Sequence, residues 1–215
     1  MFLLFDTETT GFGNNKLSAT HPAQAHICQL AILQLSEELV ELSSFICLIH
    51  PEDKWKISEG ARAVHGITTE DCYIHGVPIT HALDTFAKNY EANRIIVGHN
   101  LQFDLKMLQI DIEASGIQFK MNGDKYPICT MEKITPIMKL PHIRKNSFGT
   151  QYKWPKLEEA YSFVTKGQSL NGAHDALVDI RATAEILRYL VNNNLVKIPS
   201  SIDGMENANV SVATR

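Results

Sequence analysis

Apolar and polar positions alternate in two different rhythms along this chain. "FLLFD" (2–6) and the longer runs "HICQLAILQL" (26–35) and "LSSFICLIHP" (42–51) read as strands, the last two joined by a polar turn at "SEEL". Together they suggest a three-strand meander. The rhythm then becomes helical: Ala82, Phe86 and Tyr90 share a face in "THALDTFAKNYEANR" (80–94). A short strand, "IIVGH", follows and ends at Gly98. "LQFDLKMLQIDIEAS" (101–115) places Leu101, Leu105, Leu108 and Ile112 on one side, with Gly116 as a natural stop. "PICT" (127–130) suits a brief fifth strand. Two further helices are expected, "PKLEEAYSFVT" with Pro155 at its first position, and "DALVDIRATAEILRYLVNN" with a stripe of Ala176, Ile180, Ala184, Leu187 and Val191. Past Ile198 the periodicity is lost.

A meander followed by alternating helices and strands makes an α/β fold, a mixed sheet with helices on its faces. The 215 residues, 44% hydrophobic and 20% charged, suit one domain with a substantial core. The expected organisation is a domain over residues 1–198 and a flexible tail over 199–215. Cys28, Cys47, Cys72 and Cys129 are widely spaced and match neither a disulfide framework nor a zinc site, so free thiols in a reducing, cytoplasmic setting are expected. No apolar stretch approaches membrane-spanning length, and Met1 leads straight into a strand rather than a leader.

A net charge of −4 disfavours a polyanion as partner until its distribution is considered. Lys120, Lys125, Lys133, Lys139, Arg144, Lys145, Lys153 and Lys156 face only Asp124 and Glu132, so this segment carries +6. With Tyr126, Phe148, Tyr152 and Trp154 interleaved, it suits either phosphate contact with base stacking or a solvated, loop-rich face.

The candidate chemistry begins with "FDTETTG". Asp6 and Glu8 stand two apart on a strand and point the same way, so they can share a ligand. Two ionised carboxylates held close repel unless a hard cation sits between them, although a strand end can also leave two acids solvated. In "GHNLQFD", Asp104 falls in the first turn of a helix, where the macrodipole alone would favour an acid. In "HDALVD", His174 and Asp179 are five residues apart, roughly 140° around a helix. Asp179 can then face the sheet while His174 reaches toward the same place from a frayed start.

"FDTETTG", "NLQFD" and "HDALVD", in that order, closely resemble the three motifs of the DEDDh 3′→5′ exonucleases. This DnaQ-like superfamily includes the proofreading epsilon subunit of bacterial DNA polymerase III and the three-prime repair exonucleases. The resemblance runs from Phe2 to about Leu190, with softer matches at "AVHGIT" (63–68) and "KWPKLEEAY" (153–161). It implies a ribonuclease-H-like fold with a five-stranded mixed sheet. It further implies two divalent ions, Mg²⁺ or Mn²⁺, held by Asp6, Glu8, Asp104 and Asp179, with His174 as general base. Thr7, Thr9, Thr10 and Phe12 would cradle the terminal nucleotide, Val64 and His65 would close the opposite side, and Asn100 and Phe103 would brace or wedge it. For each of these, core packing or turn formation is the competing role. The implied reaction releases 5′-mononucleotides from the 3′ end of DNA, single-stranded DNA foremost. An exoribonuclease of the same fold and a non-catalytic nucleic-acid adaptor are the alternatives. A homodimer is compatible with the sequence, and no recognisable polymerase- or clamp-binding motif is visible.

Overall fold

The computed structural model describes residues 1–141 and 152–199. Five strands form one mixed sheet in the order β3-β2-β1-β4-β5. β1 (Phe2–Thr9), β2 (Ile27–Leu35) and β3 (Glu41–Leu48) are the antiparallel meander, while β4 (Ile95–Gly98) and β5 (Tyr126–Cys129) run parallel to β1 on its other side. β1 is central. It also extends beyond the apolar run that predicted it, because β2 continues to pair with it through Asp6↔Ala31, Thr7↔Leu30 and Glu8↔Gln29. β4 pairs only with Phe2, Leu3 and Leu4, so the acid-bearing end of β1 projects past its parallel neighbour.

The described residues include seven helices: α1 (Glu59–His65), α2 (Thr69–His75), α3 (Ile79–Ala92), α4 (Leu101–Ser115), α5 (Thr130–Met138), α6 (Leu157–Val164) and α7 (Ala176–Asn192). Strand alternation assigns them to faces. Leu3 and Phe5 pack with Leu83, Phe86 and Tyr90 of α3 and with Met107 and Leu108 of α4. Phe2 and Leu4 pack on the opposite side with Ile134 of α5, Ala160 of α6 and Ile180, Ala184 and Leu187 of α7. Continuing each row, Asp6 and Glu8 lie on the α7 face and Thr7 on the α4 face.

α1, α2 and α5 have no counterpart among the elements expected from periodicity. α1 buries no residue and α2 only Cys72, so neither has an apolar stripe; they are set by local caps, Ser58 accepting from Ala61 N and a Thr68–Asp71 capping box. α5 carries Pro136 within it. Pro155 does not occupy the first helical position of α6, since Lys156 is the N-cap and Leu157 begins the helix. In α4, Leu105 is only partly buried, whereas Met107, Ile110 and Asp111 join Leu101, Leu108 and Ile112 inside. Val191 similarly stays at the margin of the α7 stripe. All four cysteines are unpaired, and among the described residues no helix is long and apolar enough to cross a membrane. Arg144, Lys145, Phe148, His142 and nearly all of the expected tail lie outside the described residues.

Candidate active site

The acids of β1 meet α4 and α7 at the sheet edge where β4 has ended. Gly98 closes β4 against Leu101, and Asn100 adopts a left-handed conformation (φ 72°) that turns the chain sharply into α4. Asp104 therefore enters beneath β1. Its Oδ1 accepts two hydrogen bonds from Thr7, one from the backbone N at 3.0 Å and one from Oγ1 at 2.7 Å. The strand thus positions its own partner acid: the side chain between Asp6 and Glu8, on the opposite face, fixes Asp104.

Asp179 lies in the first turn of α7, buried, and its Oδ2 accepts from the backbone N of His174 at 3.1 Å. His174 is not on that helix. It precedes the N-cap Asp175 in a turn with φ 71°, so the expected angular offset along a helix does not apply. The left-handed turn curls the imidazole back toward the acids. Ligand atoms of Glu8, His174 and Asp179 come within 4.8 Å of one another. Nε2 of His174 also lies 3.5 Å from Glu158 Oε1, and the histidine side chain remains 42% exposed.

Electrostatics make this arrangement costly without a counterion. Burial, reinforced by Asp104, Glu8 and Asp179, holds the Asp6 carboxyl well above the ordinary carboxylate range. Glu8 is pushed up to about 8 by burial and then by Asp179 and Asp104. Asp104 reaches about 7, burial outweighing the two Thr7 hydrogen bonds that favour its ionised form. Asp179 rises to about 6, again through burial, against the hydrogen bond from His174. Among the described residues Asp179 Oδ1 is buried without a hydrogen-bond partner. An orphaned carboxylate oxygen beside other acids held toward their neutral forms is the environment a divalent cation relieves, so the donor set fits a hard metal ion bound through oxygen.

The expected substrate-contacting residues separate into two groups. Phe12, 90% exposed, stands edge-to-face with Phe103 at 6.2 Å between ring centroids, and Val64 and Asn100 are also exposed. Their surfaces are open to a ligand. Thr7, Thr9 and Thr10 are buried and engaged internally: Thr9 Oγ1 donates to Gly11 O at 2.8 Å, and Thr10 Oγ1 accepts from His26 N at 3.0 Å. His65 faces Thr9 O at 3.2 Å and Cys28 Sγ at 3.9 Å; burial, with a smaller contribution from His174, lowers its pKa. His26 pairs with Asp111 at 2.5 Å and is structural.

Glu158 is a site residue that sequence reasoning does not single out. An acid in the first turn of a helix is unremarkable in a sequence, and its neighbour Glu159 does cap α6 by accepting from Lys156 N at 2.8 Å. The "KWPKLEEAY" match is the available signal. Thr7→Val tests the brace between β1 and α4. Losing the hydroxyl while keeping the shape should destabilise the fold by about 1–3 kcal/mol in urea denaturation, because Asp104 loses a buried donor. Unchanged stability would show that the brace contributes nothing.

The family model described as Exonuclease, RNase_T, matches residues 3–187. The chain is 25% identical over 185 residues to a DNA polymerase III subunit epsilon of Rickettsia typhi, covering 86% of this chain and 71% of that protein. It is 29% identical over 120 residues to the same subunit of Buchnera aphidicola, covering 56% of this chain and 48% of that one. Among solved structures, E. coli exonuclease I in complex with a dT13 oligonucleotide superposes with a TM-score of 0.65 at 20% identity, over 88% of this chain and 40% of that chain. The zinc-bound form of the E. coli exonuclease I complex with single-stranded DNA gives 0.65 at 20% identity, over 89% and 40%. This chain thus spans well under half the length of those structures, and at such identity the likeness shows the fold.

Proposed function

The chain belongs to the exonuclease family RNase_T, and from that premise we propose that it is a divalent-metal-dependent 3′→5′ exonuclease that removes mononucleotides from single-stranded DNA. The observation that carries the reading is the convergence of Glu8, His174 and Asp179 within 4.8 Å, with Asp6 and Asp104 crowding the same edge. Asp6, Glu8, Asp104 and Asp179 would hold two ions, Mg²⁺ or Mn²⁺. When bound, such ions lower the pKa of a coordinated water and neutralise charge developing on the scissile phosphate and the departing 3′ oxygen.

The remaining tasks fall to the chain's own groups. Thr7 keeps Asp104 aligned, and the left-handed turn at His174 holds an imidazole over the acids, partly exposed, where it can take a proton from an attacking water. Glu158 Oε1 stands 3.5 Å from Nε2 of that imidazole, on the border of the same site. Phe12 and Phe103 offer aromatic surface to the terminal bases, a sequence-tolerant contact because every base has a π face. Val64 and His65 border the opposite side, with the threonines shaping the floor through the backbone.

The dT13 complex of exonuclease I favours single-stranded DNA over the exoribonuclease alternative, and the epsilon relatives favour association with a polymerase over an isolated enzyme. Four thiols without disulfides suit a reducing, cytoplasmic compartment. The test is digestion of matched single-stranded DNA, duplex DNA and RNA with Mg²⁺ or Mn²⁺, wild type beside His174→Ala. Single-stranded DNA should be degraded fastest, and His174→Ala should lower kcat by roughly 10²- to 10⁴-fold. Faster RNA cleavage would favour the ribonuclease; undiminished activity in the variant would remove the histidine from the mechanism.

A further inference from the structure

Ahead of α6 the chain runs through "YKWPK" (152–156) without helix or regular strand. This segment is fastened to the catalytic edge. Pro155 is buried and its carbonyl oxygen lies 3.1 Å from His99 Nε2, while His99 Nδ1 meets Thr130 Oγ1 at 3.0 Å. His99 directly follows β4 and precedes the turn into α4, the helix that carries Asp104. Three residues beyond Pro155, Glu158 stands 3.5 Å from His174. Trp154 thus directly precedes the residue fastened to the acid-bearing edge and lies four positions ahead of Glu158, the neighbour of the active-site histidine. Even fully extended, four residues span no more than about 14 Å.

Nothing in the core accounts for Trp154. It is 55% exposed and belongs to neither apolar cluster. Lys153 and Lys156 flank it, Lys153 also contacting Glu159 Oε1 at 2.6 Å, within the segment that carries +6 in an otherwise acidic chain. An exposed indole between cations matches the chemistry of a single strand, whose bases stack and whose phosphates attract lysine.

Resting on the exonuclease reading, we infer that Trp154 is a stacking platform for a base a few nucleotides upstream of the 3′ end, with Lys153 and Lys156 beside the adjoining phosphates. The 3′ end lies over β1, and the strand leaves the site across the ends of β4 and β5. A short oligonucleotide fills the end pocket without reaching the ring; a long one engages both.

The test compares a trithymidylate and a dodecathymidylate, each 5′-labelled, by fluorescence anisotropy in EDTA, so that binding is read without hydrolysis. Trp154→Ala should weaken the dodecamer by roughly five- to fifty-fold, leave the trimer within about twofold, and raise KM for the dodecamer with kcat unchanged when metal is restored. Trp154→Phe should retain most of the wild-type affinity. Equal weakening of both lengths, no effect on the dodecamer, or no dodecamer binding by the wild type would overturn the inference. Binding by a wild type that never hydrolyses would instead defeat the enzymatic reading, and the ratio between the two lengths would still decide the role of Trp154.

Discussion

Asp6→Asn is expected to abolish hydrolysis and, in the same molecule, to raise the melting temperature of the metal-free protein. The first effect follows from its place among the four acids: a neutral amide is a poor ligand for a hard cation and no longer offsets its charge. A loss of roughly a thousand-fold or more is the expected scale for removing a principal stabiliser of transition-state charge. The second effect follows from the same geometry. Asp6 is disfavoured as an anion by burial and by Asp104, Glu8 and Asp179 together, so an isosteric neutral group removes repulsion that the apo fold must tolerate. About 1–2 kcal/mol is a reasonable gain for relieving strain at an active site, or about 2–8 °C in a chain of this size. Steady-state kinetics and calorimetry in EDTA on one preparation check both. A variant that stays active within tenfold, or that melts lower than wild type, would show that Asp6 is an ordinary solvated acid.

The metal-free protein should also lose stability as pH rises from 6.5 to 8, opposite to the usual behaviour of a carboxylate-rich protein. A carboxyl whose folded pKa is raised binds its proton more tightly in the fold than in the unfolded chain. Its stabilisation is complete at low pH and is lost as pH climbs from the unfolded value toward the folded one. Glu8 at about 8 and Asp104 at about 7 leave part of that loss above pH 6.5. Asp6, raised by the same cluster, acts in the same direction. Burial lowers His65 and His99, so most of their opposing contribution is made below the ordinary histidine value of 6.5 and only its tail enters this window. Glu41 beside Arg181, Asp71 capping α2 and Glu159 beside Lys153 favour their ionised forms, which matters only at more acidic pH. Tenfold tighter proton binding in the fold is worth about 1.4 kcal/mol, so a fall on the order of 5 °C is expected in EDTA. Saturating Mg²⁺ should remove or reverse it, because ionised acids are then the binding form and ligation adds about 2.7 kcal/mol at a hundred times Kd. A melting temperature that holds steady or rises from pH 6.5 to 8 in EDTA would contradict the assignment of these acids to one buried cluster.

Most of the fold is legible in the sequence because burial writes periodicity into it. β1, β2, α3 and α7 bury whole rows of side chains, and their residues recur at the spacing of the sheet or the helix. α1 and α2, at seven residues each, bury almost nothing and leave no such trace. The candidate site is legible as residue types in motifs but not as geometry. Asp104 resembles an acid placed for a helix dipole, and only the structure shows Thr7 holding it from across the strand. His174 is expected on a frayed helix; a left-handed turn at a non-glycine residue has no sequence signature, yet that turn brings the imidazole to Glu8 and Asp179. The threonines after Asp6 suggest a substrate floor, and their hydroxyls prove to be engaged inside the protein.

The central claim, metal-dependent removal of nucleotides from a 3′ end, is tested most directly by following a 5′-labelled single-stranded oligodeoxynucleotide through time in Mg²⁺. The expected result is a ladder that shortens one nucleotide at a time while the label stays on the long fragments, and no ladder in EDTA. Immediate release of the label as a mononucleotide, cleavage confined to internal positions, or an intact oligonucleotide would contradict it.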